Sequence, residues 1–385
     1  MAIVSLPPVV SDSDSGDSLE LPTSHRVPLS WLVEHGGEAI RYRSLRDLAP
    51  LGSVPAAELS AARAAVLDSK AVAALARKQR DDGVWGGNLM GFEADKVRNL
   101  KDTGTIPQYR LLIQHGLGPD DRVIRSADRL LFRLLSRDDD PALMFEWQEL
   151  GSTEPIAEAW VRWLIREAAS AALAEAGHLE DPRLRGAGHK VASAVSQFLR
   201  SPLAESPLAK AGRQTVLHPE AYPPTWYSAA MLAAMPSLQR ERAGFVTRLG
   251  EYLSRPAPRQ AYVVHIGKAS VTPDHLLLGN PVETDSRGAP KDIPLALHFL
   301  ELMARLGTLP HSEPASLALG RLLEECDERG VWHPKNLRAA PRVENVASYH
   351  TWPLADGRNP EARMADATFR LALIAKLLGW QLEYV

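Results

Sequence analysis

Two distant stretches of this chain are written to one plan, and that repetition limits the folds open to it. The first is Gln79-Arg80-Asp81-Asp82-Gly83-Val84-Trp85-Gly86, and the second is Cys326-Asp327-Glu328-Arg329-Gly330-Val331-Trp332. An apolar run at helical spacing leads into each, through Val72, Leu75 and Ala76 in one case and Leu317, Leu319, Leu322 and Leu323 in the other. A glycine suited to the left-handed conformation then stops the helix, and the following Trp turns back against it as a brace. Helices that end alike far apart in sequence predict a helical repeat.

The rest of the chain fits helices in pairs. Residues 1–26 carry Ser11-Asp12-Ser13-Asp14-Ser15-Gly16-Asp17-Ser18, polar and without period, and read as a disordered acidic tail. A short helix, a break at Gly36-Gly37 and a second helix are expected from Leu29 to Leu48, followed by one long helix from Ala56 to Gln79. Further pairs are Thr105–Gly116 with Asp121–Ser136, Glu154–Ala176 with Asp181–Arg200, Thr225–Met235 with Ser237–Ser254, and Asp292–Leu306 with Glu313–Glu325, before a last helix Glu361–Leu378. Irregular stretches 255–291 and 332–360 separate the later pairs, the first containing a candidate strand at Tyr262–Ile266. The chain of 385 residues is read as one domain over 27–385, because repeats extend a single core. An open α-solenoid is the alternative architecture.

Composition excludes several function classes. A net charge of −3 provides no broad basic field for a nucleic-acid backbone. The single cysteine, Cys326, rules out an internal disulfide and any multi-thiolate metal site, and suits a cytoplasmic location. Neither a signal peptide nor an apolar run of about 18 residues is visible.

The QxxDGxWG pattern at the end of a helix resembles the repeat of the terpenoid cyclase and protein prenyltransferase superfamily, and Ile40–Leu48 resembles the entry helix of bacterial squalene-cyclase-like proteins. The resemblance implies an all-α fold, an α/α toroid of about six helix pairs, with a central cavity. It implies a hydrophobic, isoprenoid-like ligand that is bound or converted. The family's chemistry is harder to place. No DxDD acid motif and no DDxxD magnesium motif occur, Asp138-Asp139-Asp140 being preceded by Arg137 and followed by Pro141. Glu324 and Cys326 would be the nearest match to a prenyltransferase zinc pair, on a helix expected to face away from the cavity. No metal or cofactor is therefore expected.

The candidate site rests on polar residues at the starts of the inner helices, whose amide ends would share one mouth of the cavity. Asp102, Glu154, His350 and Asp366 are the candidate catalytic groups, with His350 held by Asp366. Tyr349, Trp352, Tyr227 and Asp292 are candidate substrate contacts, although Asp292 is equally a helix cap. Two other readings stand beside the isoprenoid one: a non-catalytic scaffold for a protein or peptide, and a glycoside hydrolase or lyase using two carboxylates. A DNA glycosylase is disfavoured by the charge balance.

Overall fold

A computed structural model describes residues 21–86, 89–90, 104–136, 155–266, 269–272, 274–334, 341, 343, 345–355 and 360–385, with the side chains of 155–159, 266 and 269 outside that description. The described chain is mostly helical. Its helices are α1 (Leu29–His35), α2 (Gly37–Arg43), α3 (Ala56–Asp68), α4 (Lys70–Lys78), α5 (Thr105–Gln114), α6 (Arg122–Leu135), α7 (Pro155–Glu175), α8 (Pro182–Leu199), α9 (Trp226–Ala234), α10 (Pro236–Glu241), α11 (Ala243–Leu253), α12 (Ile293–Arg305), α13 (Glu313–Leu323) and α14 (Pro360–Leu377). Among the described residues no helix is long and apolar enough to cross a membrane.

The pairing expected from sequence recurs with two extra breaks. The long helix Ala56–Gln79 is divided at Ser69, an extended residue whose hydroxyl accepts the Val72 N–H and so starts a new helix. The helix Ser237–Ser254 is likewise divided at Arg242, which has φ −128 and ψ 38. Part of the stretch expected as a tail, Ser24–Arg26, lies in a strand. Ser24–Val27 forms strand β1, and it pairs in parallel with β6, Gln381–Tyr384. Two small hairpins, β2 (Leu208–Ala211) with β3 (Gln214–Leu217) and β4 (Val264–Ile266) with β5 (Ala269–Val271), fill the loops after α8 and α11.

The two braces are superposable in their bonding. In the first, Arg80 N–H donates to Val84 O at 2.9 Å and Gly83 N–H to Arg80 O at 2.9 Å. In the second, Asp327 N–H donates to Val331 O at 2.8 Å and Gly330 N–H to Asp327 O at 2.9 Å. The amide of each Trp then donates to a threonine hydroxyl on a buried helix, Trp85 to Thr105 of α5 and Trp332 to Thr368 of α14. The glycines are required by contact as well as by their positive φ. A Cβ on Gly83 would lie 2.2 Å from Ser126 O of α6, and one on Gly330 would lie 2.1 Å from Arg26 O of β1. The first brace thus docks on the next helix pair in sequence, and the second docks on the strand at the chain's beginning. Gln79 adds bonds from Nε2 to Gly83 O and Val123 O. Cys326 occupies the equivalent place, where burial pushes its thiol up to about 12, as befits a packing residue.

Five helices carry most of the core. α5 packs on α7, α7 on α9, α9 on α12, α12 on α14, and α14 on α1 and α2. Four of the five end alike. In α5, Leu117 N–H donates to Leu112 O and Gly116 N–H to Ile113 O; the same two bonds recur at Gly177 after α7, Gly307 after α12 and Gly379 after α14. This is the Schellman motif, which satisfies carbonyls that a helix end otherwise leaves open.

Trp85 is 4% exposed and its Nε1 donates to Leu75 O at 2.8 Å. Replacing it with Ala should destabilise the fold by about 3 to 5 kcal/mol, read as a lowered urea midpoint; an unchanged midpoint would contradict its role as a brace.

Candidate functional site

The residues that matter here are charged side chains set in apolar helices. Along α12 the buried run Pro294–Ala304 is interrupted by His298 and Glu301, and Arg305 follows four residues later on the same face. On α14 the polar residues Asp366 and Arg370 are both buried, Arg370 to 1% exposure. Arg110 and Gln114 of α5, Glu175 of α7 and Arg43 of α2 complete the set. Arg46 and Asp47 lie on the π-helical turn Ser44–Leu48 that continues α2.

Of these side chains, Arg43, Arg46, Asp47, Gln114, Glu175, His298, Glu301 and Arg305 line a cavity of about 660 Å³, and Arg110, Asp366 and Arg370 sit outside its lining. Its wall is formed by the C-terminal turns of all five core helices, including Gln114, Glu175, Ala234, Arg305 and Lys376, together with His350 and Thr351 from the loop before α14. The expected mouth at the helix N-termini is therefore not where the described charge gathers. Helix C-termini carry partial negative charge, so arginine and lysine are favoured there for the same reason that Asp and Glu are favoured at the starts.

The cations are tied to one another through shared acceptors. Arg370 donates from Nη1 to Glu301 Oε2 at 2.7 Å and to Gln114 Oε1 at 3.1 Å, and from Nη2 to the Thr351 carbonyl at 2.8 Å. Arg305 holds the other Glu301 oxygen at 2.8 Å. Arg43 donates to Asp47 Oδ2 at 2.9 Å and to Gln114 Oε1 at 2.8 Å, with its guanidinium over the Phe369 ring. Arg110 binds Glu175 through two bonds of 2.6 Å. Lys376 Nζ donates to the Asp47 carbonyl. Burial alone would raise the Glu301 carboxyl, but Arg305, Arg370 and Arg43 hold it well below the usual carboxylate range. Burial pushes the Arg43 guanidinium down to about 10, with Asp47 opposing that shift.

Five cations, Arg43, Arg46, Arg110, Arg305 and Arg370, therefore share three carboxylates, Asp47, Glu175 and Glu301, and Lys376 adds a sixth positive charge bonded to the Asp47 carbonyl. The surplus is arranged in depth. Arg43, Arg110 and Arg370 are buried at the base, whereas Arg46, Arg305 and Lys376 are exposed at the rim.

His350 lies in this wall, as a functional residue should, but its expected partner does not. Its ring meets His298 edge to face at 4.9 Å, and His298 stacks on Trp226 at 4.9 Å. Asp366 instead accepts the backbone amides of Leu354 at 2.9 Å and Ala355 at 3.2 Å. The carboxylate thus anchors the backbone of the loop before α14 at Leu354 and Ala355, not the imidazole. Without that carboxylate beside it, the His350 imidazole is not stabilised in its charged form. Burial lowers its pKa well below the usual value, with Arg110, His298 and Arg370 acting in the same direction. Burial and, secondarily, the same arginines lower His298 to about 3.

The other sequence candidates divide between structural roles and the undescribed segments. Trp352 is 2% exposed and its Nε1 donates to Pro341 O, so it packs the loop. Asp292 accepts the Leu295 N–H and caps α12. Tyr227 lies under the Arg110 guanidinium at 5.6 Å, at the edge of the charged cluster. Tyr349 is half-buried and follows the 3₁₀ turn Val346–Ser348. Asp102, Glu154 and the Asp138–Asp140 run lie outside the described residues. Sequence reasoning missed Arg43, Gln114, Glu301 and Arg370; the available signal was a charge within an otherwise apolar helical run. Among the described residues no group of three or more His, Cys, Asp or Glu side chains could hold a metal ion.

A second buried acid lies away from the cavity wall. Glu167 of α7 accepts from the Thr225 hydroxyl at 2.8 Å at the start of α9, and burial pushes its carboxyl up to about 7.

Comparison with protein-family models, with curated proteins and with solved structures gives no match to this chain. The chemistry is read from the geometry alone.

Two predictions follow from the charges. Glu301→Ala leaves the Arg370 guanidinium buried without its carboxylate and should cost about 3 to 5 kcal/mol, measured by urea unfolding. Glu167 has a folded pKa above its unfolded value of 4.5, so the native state binds the extra proton and stability falls as pH rises from 4.5 to about 7. Glu167→Gln keeps an acceptor for Thr225 and removes the ionisation. It should gain up to about 3 kcal/mol at pH 8 and show little gain near pH 4; an equal effect at both would refute the buried neutral acid.

Proposed function

We propose that this protein is an α/α toroid whose cavity binds a small, multiply charged anion. The toroid reading is supported by the circuit of contacts from α5 through α7, α9, α12 and α14 to α2, by the bond from Arg43 of α2 to Gln114 of α5, and by the β1–β6 pairing. The anion reading is carried by one observation: four cations, Arg43, Arg46, Arg305 and Lys376, line the cavity against three carboxylates, and two of those carboxylates, Glu175 and Glu301, are also bound by Arg110 and Arg370 from outside the lining.

The wall also has an apolar side, formed by Ile113, Ala174, Ala230, Leu302, Leu373 and Leu377. The ligand suited to both sides carries a phosphate or carboxylate head and a short apolar body. The isoprenoid ligand implied by the family resemblance enters this reading in its phosphorylated form. A volume of about 660 Å³ falls within the usual range of small-molecule sites. Conversion of an isoprenoid is less favoured, because the buried Glu167 carboxyl, the kind of acid that could protonate an alkene, lies away from the cavity wall. The glycosidase reading is weakened because all three cavity carboxylates, Asp47, Glu175 and Glu301, are bound by guanidiniums and none is poised as an acid.

Isothermal titration of the purified chain with pyrophosphate and with citrate is the test. At least one should bind, with affinity falling as salt is raised. Lys376→Ala and Arg46→Ala, at the rim, should each weaken binding about tenfold. A wild-type protein that binds neither anion at low salt overturns the reading.

A further inference from the structure

The base of the cavity holds a neutral side chain whose orientation is dictated by its charged neighbours. Gln114 sits at the end of α5 and lines the cavity. Its Oε1 accepts from Arg43 Nη1 at 2.8 Å and from Arg370 Nη1 at 3.1 Å. Guanidiniums only donate, so turning the amide over would set its NH₂ group against two donors. The oxygen is therefore locked toward the arginines and the NH₂ group is turned away from them. That Nε2 makes no hydrogen bond to protein among the described residues, and it is not among the buried polar atoms left without a partner. Gln114 is half-buried and lines the cavity, so this NH₂ group is available to a ligand there.

We infer that Gln114 is the ligand-reading residue of this site, offering its Nε2 hydrogens to an anionic oxygen of a phosphate or carboxylate. The inference rests on the anion reading above and adds the point of attachment. Arg43 and Arg370 act in two ways: their charge favours the anion, and their bonds to Oε1 polarise and orient the amide that touches it. A hydrogen bond from an amide so placed strengthens with the polarisation of its oxygen. Gln114 also gives the site direction. A ligand oxygen at Nε2 lies at the closed base, leaving the remainder to extend along the wall toward the rim cations Arg46 and Lys376.

The discriminating variant is Gln114→Glu. A carboxylate still accepts from Arg43 and Arg370, with full charge, so the structural function of the side chain is preserved and the melting temperature should not fall. It has no donor, however, and it places negative charge where the ligand oxygen would sit. Binding of pyrophosphate or citrate should weaken about a hundredfold. Because a variant can fail for reasons of folding, a second readout uses the wild-type protein. The side-chain NH₂ resonances of Gln114, assigned by their loss in Gln114→Glu, should shift on addition of whichever anion binds. The pyrophosphate arm points to a phosphate ligand and the citrate arm to a carboxylate. Wild-type affinity in Gln114→Glu, or NH₂ resonances unmoved at saturation, overturns the role of Gln114 while the anion site stands. Failure of wild-type protein to bind either anion removes both.

Discussion

A guanidinium taken almost wholly out of water is costly unless its charge and its donors are matched, and Arg370 is 1% exposed. Its partners come from three other segments: Glu301 on α12, Gln114 on α5 and the Thr351 carbonyl in the loop before α14. Arg43 of α2 joins through the same Gln114 oxygen. Such a set fixes the mutual positions of four segments far apart in sequence, because moving any one strands a buried charge. Apolar packing among these helices is non-directional and would tolerate small slips. The ion network does not, and the cavity depends on it for its shape.

The same network explains why this centre is polar where the family resemblance implies a greasy one. Methyl-bearing residues line one side, but the other is built of arginines held on scarce carboxylates. Each carboxylate is shared or doubly bonded, which keeps the cations oriented without cancelling them. The histidines contribute differently. His298 and His350, packed against each other and near Arg110 and Arg370, remain neutral and add no charge to either side.

The sequence made the braces legible because their turn chemistry is local: a glycine that must be glycine, followed by a Trp with one place to go. Most helix positions were legible for the same reason, through apolar spacing. The breaks at Ser69 and Arg242 were less so, since neither a glycine nor a proline marks those positions and the apolar period runs across both. The strand at Ser24–Val27 was invisible because its partner lies at Gln381–Tyr384. The site was misread by one end of the helices. Acidic and aromatic residues near helix starts are conspicuous in sequence, but Asp292 proved to be a cap and Asp366 an anchor for backbone amides. Arg370 looked like any helical arginine, and nothing near it in sequence names Glu301 as its partner. The glycines after α5, α7, α12 and α14 were the overlooked signal, a second repeated motif marking the ends that meet at the cavity.

The pairing of β1 with β6 sets a condition on how the molecule is made. During synthesis Ser24–Val27 leaves the ribosome early and has no strand to pair with until Gln381–Tyr384 has been translated. The second brace waits in part too, because the Trp332 amide donates to Thr368 on α14, which follows it in sequence. Helix pairs can form as they emerge, but the buried charges of Arg43 and Arg370 cannot all be matched before the final helix arrives. The contacts that join Ser24–Val27 to Gln381–Tyr384 and Arg43 to Arg370 through Gln114 therefore span most of the sequence and are the kind that form late in folding.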